Sequence, residues 1–583
     1  MKNLKDFSAF WLQLKIIGTD ILRINKKKAT AILFLKSLTA ILPLLQIYLI
    51  KMMIDQLTNS PTSSAQIISL VSFFGIIQLA IAFFSQYTSV TETTLQQQVS
   101  DEFSTRIIGK TSKLDYRTLE TPGFQNNLYL AQQQARFRVN QLLPSIYNSF
   151  SAALSIIFLV ILFVSLKANF FLLIVILAFP LAIHKWTQSK KLTDLEFKLT
   201  PRERESNYLF QVLTGLPWSK ESRTFGFVTH FQEEFLKIRS LIATEKNKIQ
   251  YSGIKQGFLI ETIEIIVTIG ILLYLSKGVW DAKISIGLFI LYLQGIQRLQ
   301  TSSKSLFQSL LQLFQLRLFV KDLYLFLELP EKKSTNDLAN LMRVEAINIE
   351  NLTFTYPNTE KPVLDKINLN VKKGEIIAIV GENGSGKSTL VKLLAGLYEP
   401  NEGRLTFHQS ESASESRSFL YQDFQQYQYS VESNIHFKLT PTSEETKKAI
   451  SAANISTAGE FINQMKIGYQ TKLGHLHEES KQLSGGQWQK LALARIFYRK
   501  QGLVVLDEPS SALDAFAELD LYQNIKKEFS NSIVILISHR LYNLKIADRI
   551  YILKDGKIAD QGNFQELIAR EGLFKSMYEK QKL

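Results

Sequence analysis

A glycine-rich segment between an apolar strand pattern and an apolar helix pattern carries the clearest chemistry in the sequence. The strand pattern of residues 375–380 is followed by Gly381, Glu382, Asn383, Gly384, Ser385, Gly386, Lys387, Ser388 and Thr389. Glycines let the backbone bend so that consecutive N–H groups and a helix N-terminus converge on phosphate oxygens. In such a loop Lys387 is expected to reach the β- and γ-phosphates, and the Ser388 hydroxyl to bind Mg²⁺. The segment therefore predicts a nucleotide-phosphate site.

Two acidic residues follow a second strand pattern, residues 503–506. An acidic pair at the carboxyl end of a buried strand, beside a phosphate-binding loop, suits two roles. Asp507 would bind Mg²⁺ through a water molecule, and Glu508 would act as a general base. The two motifs together predict hydrolysis of the bound nucleotide.

The segment 483–487 reads Leu-Ser-Gly-Gly-Gln and lies between these two motifs. It resembles the signature motif of the ATP-binding cassette (ABC) family, and the resemblance extends over residues 341–583. Tyr356 resembles the A-loop aromatic that stacks on adenine, Gln422 the Q-loop residue, and His539 the switch histidine. The resemblance implies catalytic roles for Glu508, His539 and Gln422, and Mg²⁺ binding by Ser388, Gln422 and Asp507. It implies ATP contacts for residues 381–389 and for Tyr356, Ser484, Gly485, Gly486, Gln487 and the D-loop residue Asp514.

Physical reasoning supports two of these assignments separately. His539 follows a strand pattern, residues 533–537, and so comes at the sheet edge where phosphates bind. The turn at 484–486 precedes a helix and offers N–H groups and a hydroxyl to a second anion. Two phosphate cradles in one chain suggest that each nucleotide is shared between two copies, which the resemblance also implies. No element of the ATP site is degenerate, so we expect a homodimer; a partner with a degraded site is the alternative.

Charge and hydropathy divide the chain near residue 340. The net charge of the chain is +15. Residues 1–340 hold 37 Lys and Arg against 23 Asp and Glu, although this part of the chain is the more apolar. A nucleic-acid binder usually carries its charge on a polar domain, so this distribution indicates a membrane protein and excludes nucleic acid as a partner. With no cysteine, disulfides, thiolate metal sites and a fused cysteine-peptidase domain are also excluded.

Six apolar runs predict six transmembrane helices. They cover residues 29–53, 67–89, 151–166, 170–182, 258–275 and 284–293, and the runs around Pro180 and Gly295 are the weakest. Basic residues are frequent at the N-terminus and in the long loop 184–255, which places the N-terminus and the long loops in the cytoplasm. Residues 8–24 predict an amphipathic helix at the membrane surface.

The predicted fold is a multidomain membrane protein, with an all-α six-helix domain followed by an α/β domain that binds ATP. The divisions are 1–28 for the cytoplasmic N-terminus with its interfacial helix, 29–329 for the transmembrane domain, 330–340 for a linker and 341–583 for the cassette. Residues 119–124 and 220–226 resemble the coupling helices through which the membrane domains of this family contact the cassettes.

The apolar runs contain charged side chains, among them Glu261, Glu264 and Lys36. Glu261 and Glu264 share one helix face, and they suit either a functional role in a cavity or a packed structural role. Lys36 lies near the cytoplasmic end of the first run and is expected to reach the membrane surface.

The motifs predict a multi-pass protein of the cytoplasmic membrane that uses ATP and Mg²⁺ to export a substrate by alternating access. Residues 421–424 and 120–124 look similar to exporters of modified peptides, which favours a peptide cargo. The acidic pair at 261 and 264 favours a cationic cargo. A lipid or multidrug exporter and an ATP-gated channel or signalling module are the alternatives.

Overall fold

The computed structural model describes residues 2–58, 64–166, 171–331, 344–357, 359–409 and 417–582. The chain divides into two compact units, of which the first contains Met1–Ser112 and Pro122–Pro330. The second contains Lys113–Thr121 and Glu331–Leu583, so a short segment from the first long loop belongs to the second unit. Residues 332–340 of the predicted linker lie outside the described residues.

Long helices make up the described part of the first unit. In chain order the helices of this half of the sequence are α1 (Lys2–Thr58), α2 (Ser64–Lys113), α3 (Tyr116–Leu119), α4 (Pro122–Ser165), α5 (Phe171–Thr214), α6 (Ser219–Thr224), α7 (Val228–Trp280) and α8 (Ile286–Leu327). The long helices α1, α2, α4, α5, α7 and α8 fit the predicted six-helix domain.

Within the described ranges, four helical segments are long and apolar enough to cross a membrane. They are Lys15–Thr58, Ser64–Lys113, Asn140–Ser165 and Val228–Trp280. The two weaker predicted runs lie largely in α5 and α8, and several side chains at the start of α5 are outside the description. Hydropathy therefore supports four of the predicted spans directly.

A break at Asn25 separates the two parts of α1. Asn25 has φ −153° and ψ 86°, and its side-chain oxygen accepts a hydrogen bond from the Lys28 N–H at 3.0 Å, as an N-cap does. The first part therefore ends at Ile24, where the sequence predicts the end of an interfacial helix. Buried Asp20 accepts hydrogen bonds from Arg106 and Tyr324, which tie this part to α2 and α8.

Close packing of α4 against α8 accounts for Gly295, which lies just after the last apolar run. A Cβ atom on Gly295 would lie 2.7 Å from the Phe163 ring, and Phe163 is fully buried. Leu159, Leu291 and Leu299 fill the same cluster. A larger residue at 295 would force the two helices apart.

The second unit is an α/β fold, as predicted, and its strands form two sheets. The smaller sheet is antiparallel in the order β2-β1-β4, formed by β1 (Val344–Phe354), β2 (Leu364–Lys372) and β4 (Glu402–Gln409). The larger sheet has the order β5-β6-β7-β3-β8-β9, with β3 (Ile376–Gly381), β5 (Arg417–Leu420), β6 (Leu503–Asp507), β7 (Ile533–Ile537), β8 (Arg549–Lys554) and β9 (Lys557–Gly562). The helices of this unit are α9 (Lys387–Leu394), α10 (Val431–His436), α11 (Ser443–Ile455), α12 (Gly459–Asn463), α13 (Gly485–Arg499), α14 (Ala515–Glu528), α15 (Phe564–Ala569) and α16 (Leu573–Lys582).

Parallel pairing brings four strand ends to one edge of the larger sheet. Strands β5, β6, β7 and β3 pair in parallel, and β3, β6 and β7 are buried throughout. The continuous apolar runs of these strands reflect a sheet covered on both faces. The loops that follow the four strands carry most of the predicted site residues.

Candidate functional site

The loop between β3 and α9 has the backbone that a phosphate cradle requires. Gly384 and Gly386 adopt φ of +79° and +104°, and a Cβ atom on Gly386 would lie 2.6 Å from Leu364 Cδ2. A residue with a side chain would therefore be strained here and would also collide with β2. The Ser385 hydroxyl is buried and has no hydrogen-bond partner among the described residues, so it is free for a ligand oxygen.

Lys387 lies inside this loop. Its Nζ donates hydrogen bonds to the backbone oxygens of Gly381 and Glu382, at 2.8 and 2.9 Å. Burial lowers the pKa of Lys387, although Asp507 and Glu508 act in the opposite direction. The neighbouring Ser388 is exposed on the first turn of α9. A cation, a hydroxyl and the start of a helix thus converge, which suits an anionic ligand.

The acidic pair follows β6, next to β7 in the sheet. Asp507 is 6% exposed, and burial together with the Glu508 charge raises the pKa of Asp507 to about 6, although Lys387 opposes this. Glu508 has a φ of +49°, and its N–H donates to the Ile537 oxygen at 2.9 Å. This unusual backbone conformation turns the Glu508 side chain away from the strand direction.

His539 and Glu508 lie in contact. The Nε2 atom of His539 is 3.2 Å from Glu508 Oε1. The contact follows from the parallel pairing of β6 with β7, which places the residues after Asp507 and Ile537 side by side. The proposed base and the predicted switch histidine therefore form a pair.

Gln422 and Tyr356 lie at the margins of this edge. Gln422 follows β5 closely and is exposed, and the charge of Asp423 beside it contributes to the raised pKa of Asp507. The Tyr356 hydroxyl is 3.2 Å from the Thr389 hydroxyl at the start of α9. Tyr356 therefore lies beside the phosphate loop, where an aromatic ring could cover a bound base.

The signature residues cap a helix. Ser484 and Gln487 form a capping box, in which the Ser484 hydroxyl accepts from the Gln487 N–H at 3.3 Å and the Gln487 side chain accepts from the Ser484 N–H at 3.0 Å. A Cβ atom on Gly486 would lie 2.7 Å from the Ala512 oxygen, so glycine allows α13 to approach the loop before α14. Asp514 caps α14 by accepting from the Phe516 and Ala517 N–H groups.

The structure therefore brings one set of predicted residues together and leaves another apart. Residues 381–389, Asp507, Glu508, His539 and Tyr356 lie around one strand edge. In the described part of the chain, no hydrogen bond or ion pair joins Ser484–Gln487 or Asp514 to the phosphate loop.

Comparison with known proteins identifies the second unit. Residues 364–511 match the family described as "ABC transporter". The "Subtilin transport ATP-binding protein SpaT" of Bacillus subtilis is 28% identical over 554 residues, which cover 93% of this chain and 90% of that protein. The "Nisin transport ATP-binding protein NisT" of Lactococcus lactis subsp. lactis is 28% identical over 605 residues, with 99% and 98% covered.

Residues 364–511 are an ABC transporter domain. Among solved structures, a bacterial Atm1-family ABC exporter with ATP bound matches with a TM-score of 0.77 and 20% identity, covering 96% of this chain and 99% of that one. The ABC exporter fold thus extends over nearly the whole sequence. The chain is a transport ATPase, and its ABC domain binds ATP.

Gln489 is a site residue of this ABC domain that sequence reasoning missed. Its side chain is 1% exposed, donates to the Glu508 backbone oxygen at 3.0 Å and to Ser511 Oγ at 3.1 Å, and accepts from the Ala512 N–H at 2.7 Å. The sequence shows Gln489 only as a residue after the signature. Its contacts lie about twenty positions further along the chain, so no local pattern could reveal them.

Lys392 is a second missed residue. Its Nζ lies 5.6 Å from the Tyr356 ring centroid, 5.7 Å from that of Tyr398 and 5.9 Å from that of Tyr116. It also forms an ion pair with Glu120 at 3.2 Å, and Glu120 accepts a hydrogen bond from Tyr398. Glu120 and Tyr116 belong to the segment Lys113–Thr121, which is part of the same unit. This segment overlaps residues 119–124, which the sequence predicts to be a coupling helix.

Glu264 and Lys36 find partners within the first unit. Glu264 is buried and forms an ion pair with Lys304 at 3.3 Å, so its charge is balanced by this chain. Glu261 instead lines a cavity of about 930 Å³ together with Trp186 and Phe258. The expectation that Lys36 reaches the membrane surface is wrong, because its Nζ donates to Asn148 at 2.8 Å and lies 3.5 Å from Glu92.

Proposed function

We propose that this ABC transporter exports a peptide from the cytoplasm, using ATP hydrolysis. The observation that carries the proposal is the pair of relatives named for subtilin and nisin transport, both peptides, which align over nearly the whole of both chains. A lipid A-core flippase of Alcanivorax borkumensis is also 28% identical, but the match covers 64% of this chain. Peptide export is therefore favoured over lipid export.

In the proposed reaction, Glu508 takes the proton of the attacking water, and His539 holds the Glu508 carboxylate and contacts the γ-phosphate. Lys387 and the N–H groups of residues 384–389 bind the β- and γ-phosphates, with Tyr356 on the adenine. Ser388, Asp507 and Gln422 supply oxygen atoms, which are the ligands that Mg²⁺ prefers, and the ion would neutralise phosphate charge. The orphaned Ser385 hydroxyl and the buried lysine support this assignment.

The proposed working unit is a homodimer. Ser484–Gln487 and Asp514 lie apart from the phosphate loop of their own chain, so they are assigned to the ATP bound by a second copy. ATP then stabilises the closed pair more than the open pair, and loss of the γ-phosphate contacts reverses the bias. This alternation would open the cavity of the membrane domain to one side and then to the other.

The proposed location is the cytoplasmic membrane, with the N-terminus and the ABC domain in the cytoplasm. The support is the distribution of basic residues: twelve Lys and Arg lie between Lys185 and Lys248, in the long loop that joins the fourth and fifth apolar runs. Positively charged loops remain on the cytoplasmic side.

The test is reconstitution of the full chain into liposomes. Fluorescently labelled nisin should accumulate on the far side when ATP is added, and it should stimulate ATP hydrolysis. Glu508→Gln should abolish accumulation while leaving ATP binding intact. Movement of a fluorescent lipid without nisin transport would favour lipid export, and ionic current without cargo-stimulated hydrolysis would favour a channel. Co-purification of two differently tagged copies tests the homodimer.

A further inference from the structure

A polar cavity in the first unit is not explained by the ATPase site. Its volume is about 620 Å³, and it lies among α1, α2, α4 and α8. Hydroxyl and amide groups dominate its wall, including Ser85, Thr88, Ser89, Thr93, Gln96, Asn148 and Ser151. A polar wall of this kind between apolar helices is expected to hold water or a polar ligand, since hydrocarbon would leave its groups unpaired.

Regularly spaced hydroxyl residues of α2 form one wall of the cavity. Ser85, Ser89 and Thr93 lie four residues apart and so share one face of the helix. The Thr88 and Thr93 hydroxyls donate back to the helix backbone, at 2.6 and 2.9 Å, which leaves their lone pairs open to an external donor. The hydroxyl oxygens on α2 can therefore accept hydrogen bonds from a ligand in the cavity.

Three charged side chains line the cavity, and two of them neutralise each other. Lys36 on α1 lies 3.5 Å from Glu92 on α2 and donates to Asn148 on α4 at 2.8 Å. Arg298 on α8 has no such partner: its Nε is buried, and in the described part of the chain its guanidinium makes no hydrogen bond or ion pair. An unpaired guanidinium among membrane helices is costly and marks a functional position.

A second polar atom is also unpaired. Glu92 Oε1 is buried without a hydrogen-bond partner among the described groups. The cavity therefore offers both an unused cation with N–H donors and an unused acceptor. A peptide segment with an acidic side chain satisfies both, because its carboxylate accepts from Arg298 and its backbone N–H donates to Glu92.

We propose that this cavity binds an acidic segment of the exported peptide, with Arg298 as the carboxylate-binding residue. The assignment rests on the proposed export function, since it takes the cavity as part of the path of the cargo. An anionic lipid fits less well, because acyl chains need an apolar wall, and Pro43, Ile81 and Pro144 are the apolar members of this lining. In the sequence, the carboxylates of Glu261 and Glu264 favour a cationic cargo. Because Glu264 forms an ion pair with Lys304, only the Glu261 carboxylate still supports that expectation.

The test measures binding to the full chain in phosphatidylcholine nanodiscs without nucleotide. The probe is a fluorescein-labelled octapeptide of alternating serine and aspartate, and its counterpart has asparagine at each aspartate. Wild type should bind the aspartate peptide about tenfold more tightly, which corresponds to about 1.4 kcal/mol. Arg298→Gln should reduce this preference below about twofold, and Arg298→Lys should retain part of it, because lysine keeps the charge but not the bidentate geometry.

The matched control is Lys283→Gln, which removes one positive charge from an exposed residue that pairs with Asp281 outside the cavity. It should keep the tenfold preference. A thermal unfolding midpoint equal to that of wild type would show that Arg298→Gln remains folded.

Three outcomes decide the matter. Equal binding of the two peptides by wild type, or an undiminished preference in Arg298→Gln, overturns the site even if nisin is exported. Failure of ATP-dependent export together with an Arg298-dependent preference overturns the proposed function and leaves the site standing. A change in hydrolysis on adding phosphatidylglycerol, lost in Arg298→Gln and accompanied by no peptide binding, assigns the cavity to lipid and overturns the peptide proposal.

Discussion

The Gln489 side chain donates a hydrogen bond to the backbone oxygen of Glu508 at 3.0 Å. Gln489 belongs to α13, whose first residues are the signature motif, whereas Glu508 is the proposed base. In the proposed dimer the signature of one copy and its own Glu508 serve different ATP molecules. One buried side chain therefore connects the two ATP sites through a single ABC domain.

Replacing Gln489 with alanine should slow hydrolysis more than it weakens ATP binding. The change leaves the Ala512 N–H without its partner and leaves the Glu508 carbonyl with only the 3.3 Å hydrogen bond from the Ser511 N–H. A lost partner at such a part-buried position costs up to about 1–3 kcal/mol. Because a small displacement of a catalytic group has a large effect on rate, we expect kcat to fall about tenfold or more, with KM for ATP changed less than about twofold. Steady-state hydrolysis by the reconstituted chain measures both constants. Exposed Gln561→Ala is the control, and an unchanged kcat in Gln489→Ala would refute the link.

Glu508→Gln should separate ATP binding from hydrolysis. The amide keeps the size of the side chain and its place beside His539, 3.2 Å away, but it cannot take a proton from water. Loss of a general base lowers the rate by about 10²–10⁴-fold. Phosphate release and equilibrium ATP binding are the measurements. The control is Glu528→Gln, which breaks an ion pair with Lys500 and should hydrolyse ATP normally. Near-normal turnover in Glu508→Gln would contradict the assignment of Glu508 as the base.

Sequence alone predicts the functional sites of this molecule that consist of consecutive residues. The segment 381–389 combines a strand, glycines, a lysine and a helix start, so its function follows from local order. Lys392 and Gln489 escape such reasoning, because Lys392 meets Glu120 from a position 272 residues away and Gln489 meets Ala512 from 23 residues away. The sequence predicts that Lys36 reaches the membrane surface, because no local pattern shows that Glu92, on another helix, is its partner. The roles of these three residues depend on partners that only the folded structure brings together.

Asp507→Asn should stabilise the protein in EDTA without nucleotide while abolishing its use of Mg²⁺. The folded pKa of Asp507 is about 6, against an ordinary value of 3.8. A raised carboxyl pKa means that the neutral form favours folding: this contribution is fully present below pH 3.8 and is lost as the pH rises through about 6. Two pKa units correspond to about 3 kcal/mol, so we expect a gain of about 2–3 kcal/mol at pH 8.

Thermal unfolding of the ABC domain in the full chain checks this expectation. The midpoint of Asp507→Asn should exceed that of wild type at pH 8, and the difference should shrink at pH 5. Exposed Asp555→Asn should show neither effect. A lower midpoint for Asp507→Asn at pH 8 would mean that the carboxylate stabilises the fold, contrary to its burial.

Lys392→Met should weaken ATP binding with little effect on kcat. The ammonium group lies 5.6 Å from the Tyr356 ring and pairs with Glu120, so it holds the predicted adenine-stacking ring in place. Burial acts to lower the pKa of Lys392, but Glu120 and the surrounding tyrosines raise it above its ordinary value, so the cation persists at neutral pH. A cation over an aromatic ring contributes about 0.5–2 kcal/mol, which predicts a rise in KM for ATP of about twofold to thirtyfold. Lys448→Met removes a similar contact, 5.7 Å from the Tyr498 ring and away from the phosphate loop, and should leave KM unchanged. Equal KM values for the two variants would show that Lys392 does not position Tyr356, whereas recovery of ATP affinity in Lys392→Arg would show that the charge does so.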